Sequence, residues 1–219
     1  MLSEKSGLLW VITLSLVTAL LFFTVPNHLL SFDRDLIDKG EGWRIITGNL
    51  AHTNGWHLLL NLSGLAVLYS LFREYLTGWR LPVLLLLLGT AVGLGIWWWC
   101  PQTQWYMGLS GLLHGLFVWG AMQDIRYRRY SGWLMLLGIV IKLGLDFYSA
   151  GESPVSALIG ARVHIESHLI GSAAGLLLGL FAAFYRRLDG LIMHMSDILL
   201  SVPAILLGLS FAAVVGPGM

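Results

Sequence analysis

Apolar residues run through this sequence in long stretches that short polar segments interrupt. A helix needs roughly 20 apolar residues to cross the hydrocarbon core of a bilayer. Most of the stretches reach or approach that length, and the fourth is the shortest. The pattern predicts seven hydrophobic spans, at about residues 7–25, 56–72, 81–99, 109–122, 133–147, 165–185 and 191–215. The long segment at 27–55 mixes charged and apolar residues, which predicts a structured, partly membrane-embedded loop.

The composition agrees with this interpretation. Of the 219 residues, 57% are hydrophobic and 11% are charged. Soluble domains carry about 25% charged residues, so a soluble globular domain and a disordered chain are excluded. A net charge of +1 leaves no basic surface for nucleic acid. The predicted fold class is an all-α polytopic membrane protein, in which the lone Cys100 has no partner for an internal disulfide.

The Lys and Arg residues favour one orientation. With the N-terminus in the cytoplasm, eight of them lie on inner segments and four on outer segments. The second, fourth and sixth spans then run from outside to inside, so their N-terminal ends share one depth near the outer surface. Polar residues, which are costly in a bilayer and mark function there, lie at that depth: His57, Asn61, Ser110, His114, His164 and His168.

Glycine spacing predicts that the fourth and sixth spans pack directly against each other. Small residues four positions apart let membrane helices approach closely. These residues are Gly111 and Gly115 in the fourth span and Gly171, Gly175 and Gly179 in the sixth. Ser110 directly precedes Gly111, and His168 lies three residues before Gly171, one turn earlier on a similar face. Close packing would bring the Ser110 hydroxyl within hydrogen-bond reach of the His168 imidazole.

That pairing predicts nucleophilic catalysis. A neutral histidine can take the proton of a serine hydroxyl and later give it to a leaving amine. His57 and Asn61 share one helix face and can both donate hydrogen bonds to an oxyanion. Glu166 is two residues from His168 and faces elsewhere on the helix, so the sequence favours a Ser–His dyad over a triad.

Two other interpretations of these polar residues stay open. His52, His57, His114, His164 and His168 could form a metal site, although the sequence shows no HExxH motif and no carboxylate or cysteine at ligand spacing. Lys142 and Asp146, four residues apart in the fifth span, form either an intrahelical ion pair or a substrate gate.

Five motifs together carry a family resemblance. They are Trp43-Arg44, His52, the HxxxN run from His57 to Asn61, the GxSG run from Gly108 to Gly111, and His168 followed by Gly171, Gly175 and Gly179. In order, spacing and span, this set resembles the rhomboid family of intramembrane serine proteases. The resemblance covers about residues 7–186. It implies a six-helix bundle, to which the last span adds a possible seventh helix.

Three segments, residues 47–54, 108–117 and 158–169, narrow the resemblance to rhombosortases, which are compact bacterial rhomboids. The resemblance implies that Ser110 is the nucleophile and His168 the general base. It implies an oxyanion hole from His57, Asn61 and the Ser110 N–H, with His52, Gly108, Gly111 and His114 beside the site. The implied substrates are membrane-anchored exported proteins whose C-terminal tail carries Gly-Gly, an apolar helix and basic residues.

The same resemblance implies a bacterial inner-membrane enzyme with its site near the periplasmic face and with no cofactor. Many rhomboids carry a tyrosine where this sequence has His114, one turn after Ser110, from which it could still contact His168. His164 lies outside the rhomboid motifs and is a neighbour of the site without an assigned role.

The sequence divides into a rhomboid-like core at 1–187 and a hydrophobic tail at 188–219. The tail resembles part of a peptide ABC transporter permease and carries His194, Asp197 and Pro203. Three alternatives to a rhombosortase remain: a general rhomboid protease, a helix-binding or metal-binding membrane protein without protease activity, and a transporter fragment.

Overall fold

The computed structural model describes residues 2–184. Within this range the chain forms ten helices and two short strands. The helices are α1 (Leu2–Thr24), α2 (Asn27–Leu30), α3 (Arg34–Asp38), α4 (Arg44–Thr47), α5 (Gly55–Phe72), α6 (Arg80–Trp99), α7 (Ser110–Arg126), α8 (Ser131–Tyr148), α9 (Pro154–Ile159) and α10 (Ile165–Phe184). The strands are β1 (Phe32–Asp33) and β2 (Trp105–Tyr106).

Five of the long helices, α1, α5, α6, α8 and α10, are long and apolar enough to cross a membrane. These five and α7 correspond to the first six predicted spans, so the all-α polytopic fold class is confirmed. The seventh predicted span and the tail at 188–219 lie outside the described residues.

Helix α7 lies at the centre of the bundle and packs against α5, α6, α8 and α10. The sequence predicts its end near residue 122, but the helix continues to Arg126. The difference has a physical cause. Gln123 and Asp124 look like the end of an apolar span, but both are buried, and Asp124 is hydrogen-bonded to side chains of neighbouring elements.

The glycines of α7 and α10 bring the two helix backbones together. A Cβ added to Gly171 would overlap the carbonyl oxygen of Gly111, and a Cβ added to Gly175 would overlap the carbonyl oxygen of Gly115. Only glycine permits this approach, as the spacing predicts. The contact fixes the start of α7 against the start of α10.

The segment between α1 and α5 is structured, as predicted. The Arg44 side chain is buried and donates hydrogen bonds to the carbonyls of His28 (2.8 Å) and Ser31 (2.9 Å) and to the Glu41 carboxylate (2.6 Å). These bonds gather the chain into a compact loop over the bundle. Strand β1 in this loop pairs antiparallel with β2, which leads directly into α7.

Candidate active site

Ser110 and His168 meet where α7 and α10 begin. Ser110 Oγ lies 3.0 Å from His168 Nε2. The His168 side chain is buried at 4% exposure. As the first residue of α7, Ser110 also has a backbone N–H without a partner inside the helix. A hydroxyl with a basic nitrogen at hydrogen-bond distance is the arrangement that activates a serine nucleophile.

The chain just before Ser110 is held in a conformation that requires glycine. Gly108 has φ +123°, which side chains with a Cβ rarely adopt. Its N–H donates to the Gly48 carbonyl (3.1 Å), and its carbonyl accepts from the Tyr106 hydroxyl (2.7 Å). Burial raises the pKa of Tyr106 to about 12, so the hydroxyl stays a donor at neutral pH. These bonds fix the approach to Ser110.

His57 and Asn61 converge over Gly108. A Cβ added to Gly108 would lie 2.6 Å from His57 Nε2 and 3.7 Å from Asn61 Nδ2. The Asn61 Nδ2 atom is buried and has no hydrogen-bond partner among the described residues. A buried amide donor without a partner is costly, and here it is free to bind an oxygen that arrives beside Ser110.

The His57 ring contacts Thr53 through its Nδ1 atom. This atom lies 3.4 Å from the Thr53 nitrogen and 3.1 Å from Thr53 Oγ1, whose hydroxyl donates to the Ile159 carbonyl (2.7 Å). In the tautomer whose Nδ1 accepts from the Thr53 N–H, the ring proton is on Nε2. With that tautomer, His57 Nε2–H and Asn61 Nδ2–H are two donors on the same side of the Ser110 loop.

Two further side chains, those of His114 and Asp146, lie beside the His168 ring. The His114 ring stacks on His168 with centroids 3.8 Å apart and an angle of 12° between the planes. Its Nδ1 donates to the Ser110 carbonyl (2.7 Å). Asp146 Oδ2 lies 3.5 Å from His168 Nδ1. From the sequence, Glu166 is the acidic residue considered as a partner of His168, so this carboxylate is not predicted.

An open cavity of about 860 Å³ leads to these residues. Apolar side chains of α5, α7 and α8 line most of it. Its polar lining includes Thr53, His57, Asn61, Ser110, His114, Lys142, Asp146, Arg162, His164 and His168. The cavity is large enough for an extended peptide segment, and Ser110 is reached from it.

With this geometry established, the comparison with known families gives a clear result. The family model of the rhomboid domain matches residues 39–185, about two thirds of the chain. The chain belongs to the rhomboid family. It is a multi-pass membrane protein, and membership of this family supports serine protease chemistry in general.

Short stretches of this rhomboid also resemble transporter subunits. It is 41% identical over 63 residues to a putative peptide transport system permease protein of Brucella suis biovar 1, covering 29% of this chain and 20% of the permease. It is 40% identical over 83 residues to the di/tripeptide transport system permease protein DppC of Pseudomonas aeruginosa, covering 35% of this chain and 27% of that protein. The chain spans about a fifth to a quarter of these curated relatives. Both alignments are longer than 188–219.

Two further histidines of this rhomboid, His52 and His164, have structural partners. His52 is fully buried, its Nδ1 donates to the Leu50 carbonyl (3.0 Å), and its ring meets His57 edge to face at 5.0 Å. Burial, with a smaller contribution from His57, lowers the pKa of His52 to about 4. His52 is therefore neutral at pH 7 and lies beside the proposed oxyanion donors.

His164 caps α10, a role that the sequence did not assign. Its Nδ1 accepts from the Ser167 N–H (3.1 Å), and its Nε2 lies 2.9 Å from Thr103 Oγ1. Burial lowers the pKa of His164, against the opposing effect of Glu166, so the neutral ring is favoured. His164 thus fixes the start of the helix that carries His168.

A metal would find three possible ligands at the site. His114, Asp146 and His168 each offer one ligand atom, all within 4.8 Å of one another. The two imidazoles are stacked in nearly parallel planes, however, so their in-plane lone pairs do not converge on one point. The Lys142 ammonium is bonded to the Asp146 carboxylate and opposes a further cation. The residues present fit a proton-transfer site better than a metal centre.

Asp146 and Tyr106 are the site residues that sequence reasoning missed. The signal for Asp146 is the presence of an acid inside a membrane span, for which an ion pair with Lys142, four residues earlier, offers a simpler explanation from sequence alone. Tyr106 gave no signal, because its contact with Gly108 depends on the turn that leads into α7.

Proposed function

We propose that this chain is a rhombosortase-type endopeptidase that uses Ser110 and His168 to cut membrane-anchored proteins near a C-terminal Gly-Gly. One observation carries the catalytic part: the 3.0 Å contact between Ser110 Oγ and His168 Nε2 at the end of the cavity. Family membership supports serine protease chemistry in general. The residue roles and the substrate class are our inference.

The reaction follows from these two side chains. Ser110 Oγ attacks the carbonyl carbon of the scissile peptide bond while His168 Nε2 takes the hydroxyl proton. The tetrahedral intermediate collapses, the C–N bond breaks, and His168 gives the proton to the leaving amine. Water then attacks the acyl-serine ester and passes its proton to His168. This second tetrahedral intermediate collapses, the bond between the acyl carbon and Ser110 Oγ breaks, and His168 returns the proton to Oγ. The products are a new carboxyl end and regenerated Ser110.

Three donors are available for the oxyanion of each tetrahedral intermediate. They are the Ser110 N–H at the start of α7, His57 Nε2–H and Asn61 Nδ2–H. Donors that are fixed in place before the reaction stabilise the developing charge without reorganisation. The unpartnered state of Asn61 Nδ2 supports this role, because an oxyanion would supply the missing acceptor.

The motif resemblance at 47–54, 108–117 and 158–169 supports the Gly-Gly substrate class. A membrane helix is least stable near consecutive glycines, so the chain there can unwind and expose a carbonyl to the cavity. The distribution of Lys and Arg supports a cytoplasmic N-terminus and a site near the periplasmic face of a bacterial inner membrane. The partners are therefore the bilayer and its anchored substrate proteins.

We assign the protease to residues 1–187 and treat 188–219 as a separate permease-like tail. The reaction described above uses only side chains and water, so the proposal includes no cofactor. A chain that ends at Arg187 and keeps full protease activity would support this division. Loss of activity in that chain would show that the tail belongs to the enzyme.

A co-expressed reporter tests the proposal. The reporter ends in Gly-Gly, an apolar helix and basic residues, and a matched reporter carries Leu-Leu in place of Gly-Gly. We expect the parent chain to cut only the Gly-Gly reporter, and Ser110→Ala and His168→Ala to cut neither at equal expression.

The possible failures of this experiment separate the alternatives. Equal cleavage of the two reporters would support a general rhomboid protease and reject the Gly-Gly class. Cleavage by the alanine variants at the parent rate would reject the Ser–His site. An absence of cleavage of either reporter and of a generic transmembrane substrate would favour a helix-binding protein.

A further inference from the structure

The Nδ1 atom of His168 faces a carboxylate from a different helix. Asp146 stands near the C-terminal end of α8, and its Oδ2 lies 3.5 Å from His168 Nδ1. This Nδ1 atom is buried and has no hydrogen bond within the described residues. Ser110 occupies the opposite ring nitrogen, Nε2. The three side chains therefore follow the order hydroxyl, imidazole, carboxylate.

The carboxylate is itself held in place. Lys142, one turn earlier on α8, donates a hydrogen bond to the same Asp146 Oδ2 atom. The Asp146 side chain is 17% exposed and the Lys142 side chain 47% exposed, so the ammonium lies toward the open cavity and the carboxylate toward His168. The Lys142 ammonium stabilises the ionised carboxylate of Asp146 at a position where an unpaired carboxylate would be costly.

We infer that Asp146 is a positioning residue that orients His168 through Nδ1, which turns the proposed dyad into a Ser110–His168–Asp146 triad. This inference rests on the proposed function of Ser110 and His168. An acceptor at Nδ1 holds the ring proton there, so Nε2 keeps the lone pair that receives the serine proton. When His168 takes that proton, the carboxylate stabilises the imidazolium, and the 3.5 Å contact shortens to a hydrogen bond.

A simple intrahelical ion pair does not account for this arrangement. A Lys–Asp pair at i, i+4 contributes little to stability on a helix surface, which gives little reason for a carboxylate in a membrane span. It also leaves the buried His168 Nδ1 without an acceptor. The contact between Asp146 and His168 explains both features.

Steady-state kinetics of the purified full chain on the Gly-Gly reporter test the inference. Asp146→Asn keeps the volume of the side chain and removes its charge. We expect kcat to fall roughly 10- to 1,000-fold with KM within about twofold, since the lost interaction acts on proton transfer. Asp35→Asn makes the same chemical change at an exposed position of α3 and should leave both constants unchanged.

A spectroscopic measurement separates positioning from structure. In histidine-selective ¹⁵N NMR of the detergent-solubilised chain, we expect neutral His168 in the parent to carry its proton on Nδ1. In Asp146→Asn the proton should move wholly or partly to Nε2, while the midpoint of thermal unfolding stays within about 2 °C. A merely structural role would lower that midpoint and leave the tautomer unchanged.

The outcomes distinguish this inference from the proposed function. If the parent is active, Ser110→Ala is inactive, and Asp146→Asn keeps the parent kcat and tautomer, the positioning role is rejected and the dyad stands. If Ser110→Ala is as active as the parent, the proposed function itself fails. A fall in kcat with a shifted tautomer in Asp146→Asn, but not in Asp35→Asn, supports the triad.

Discussion

Helix α7 carries a buried polar cluster at each end, and the two clusters differ in how their polar atoms are satisfied. At the C-terminal end, Asp124 accepts hydrogen bonds from the Tyr75 hydroxyl (2.7 Å) and the Ser131 hydroxyl (2.5 Å). Arg129 Nη1 lies 3.6 Å from the same carboxylate and is also bonded to Glu74. We call these residues the Asp124 cluster.

At the N-terminal end, the polar atoms are held in position but left partly unpaired. We call Ser110, His168, His52 and Asn61 the Ser110 cluster. His168 Nδ1, His52 Nε2 and Asn61 Nδ2 are all buried without a hydrogen-bond partner among the described residues. Each unpaired buried group costs about 1–3 kcal/mol. The C-terminal end has one such atom, Gln123 Nε2, so the Ser110 end gives up more stability than the other end.

We interpret this difference as a division between buried polar groups that stabilise the fold and buried polar groups that bind a ligand. The Asp124 cluster uses its acceptors within the protein and joins α7 to the segments around it. In the proposed function, the Ser110 cluster keeps donors available for charge that develops during the reaction. Substitutions in the two clusters should therefore have opposite effects on stability and on activity.

Among the substitutions that test the comparison of the two clusters, Asn61→Ala should have the largest effect. Removal of an oxyanion donor is expected to lower kcat about 100- to 1,000-fold. Stability should not fall, because the lost Nδ2 donor has no partner among residues 2–184. Reporter kinetics and thermal unfolding in detergent check both parts.

Asn49→Ala is the matched control for Asn61. Asn49 is equally buried, but its Nδ2 donates to the carbonyls of Gly89 (3.1 Å) and Ile46 (3.1 Å). This variant should lose stability and keep its kcat. If the two asparagine variants behaved alike, the distinction between reserved and satisfied donors would be wrong.

Acid should destabilise the Ser110 end through His52. The folded protein holds His52 neutral down to about pH 4, whereas the unfolded chain binds the proton below about pH 6.5. The unfolded state binds more protons in this window, so the free energy of unfolding decreases as the pH falls through it, by up to about 3 kcal/mol for this residue. His52→Gln removes this contribution.

Equilibrium unfolding of the parent and His52→Gln at pH 7 and pH 4.5 measures the His52 effect. We expect a smaller loss of stability on acidification in the variant, because glutamine does not titrate. The same pH dependence in both proteins would show that His52 is not held neutral by burial.

In the Asp124 cluster, Asp124→Ala should lower the free energy of unfolding by about 2 kcal/mol, since it leaves the buried Tyr75 hydroxyl and the part-buried Ser131 hydroxyl unpaired. The folded fraction should cut the reporter with the parent kcat. Tyr75→Phe should have a smaller effect of about 1 kcal/mol. Burial and the Asp124 carboxylate raise the pKa of Tyr75, so its hydroxyl remains a donor at neutral pH. A kcat loss in Asp124→Ala with unchanged stability would reverse the assignment of the two clusters.

The smallest expected effect is that of metal removal. Dialysis of the purified chain against EDTA or 1,10-phenanthroline should leave kcat within about twofold, since the proposed reaction uses only side chains and water. Loss of activity that Zn²⁺ restores would instead indicate a metal at His114, Asp146 and His168.

Much of the fold follows from the sequence because the membrane restricts what the chain can do. Long apolar runs must become helices whose backbone groups bond internally, so the bounds of α5, α6 and α10 lie within one residue of the predicted spans. The glycine stripes of the fourth and sixth spans predict the contact between α7 and α10, because only the pairing of these two helices brings both stripes together. The end of α7 was predicted four residues early, since burial of Asp124 depends on Tyr75, 49 residues away.

The candidate site was predictable only where its residues share a helix or a stripe. Ser110 and His168 follow from the glycines beside them, and the stacking of His114 on His168 follows from its position one turn after Ser110. Asp146 could not be placed in this way. Its contact with His168 depends on how α8 is rotated against α10, and no local pattern fixes that rotation.

Covalent labelling tests the central claim most directly. A fluorophosphonate reacts with a serine hydroxyl that an adjacent base has activated, and peptide mass spectrometry locates the adduct. The account predicts one adduct on the purified chain, at Ser110, and its loss in His168→Ala with the thermal midpoint retained. An unmodified Ser110 in the parent, or labelling of Ser110 that persists at the same rate in His168→Ala, would contradict it.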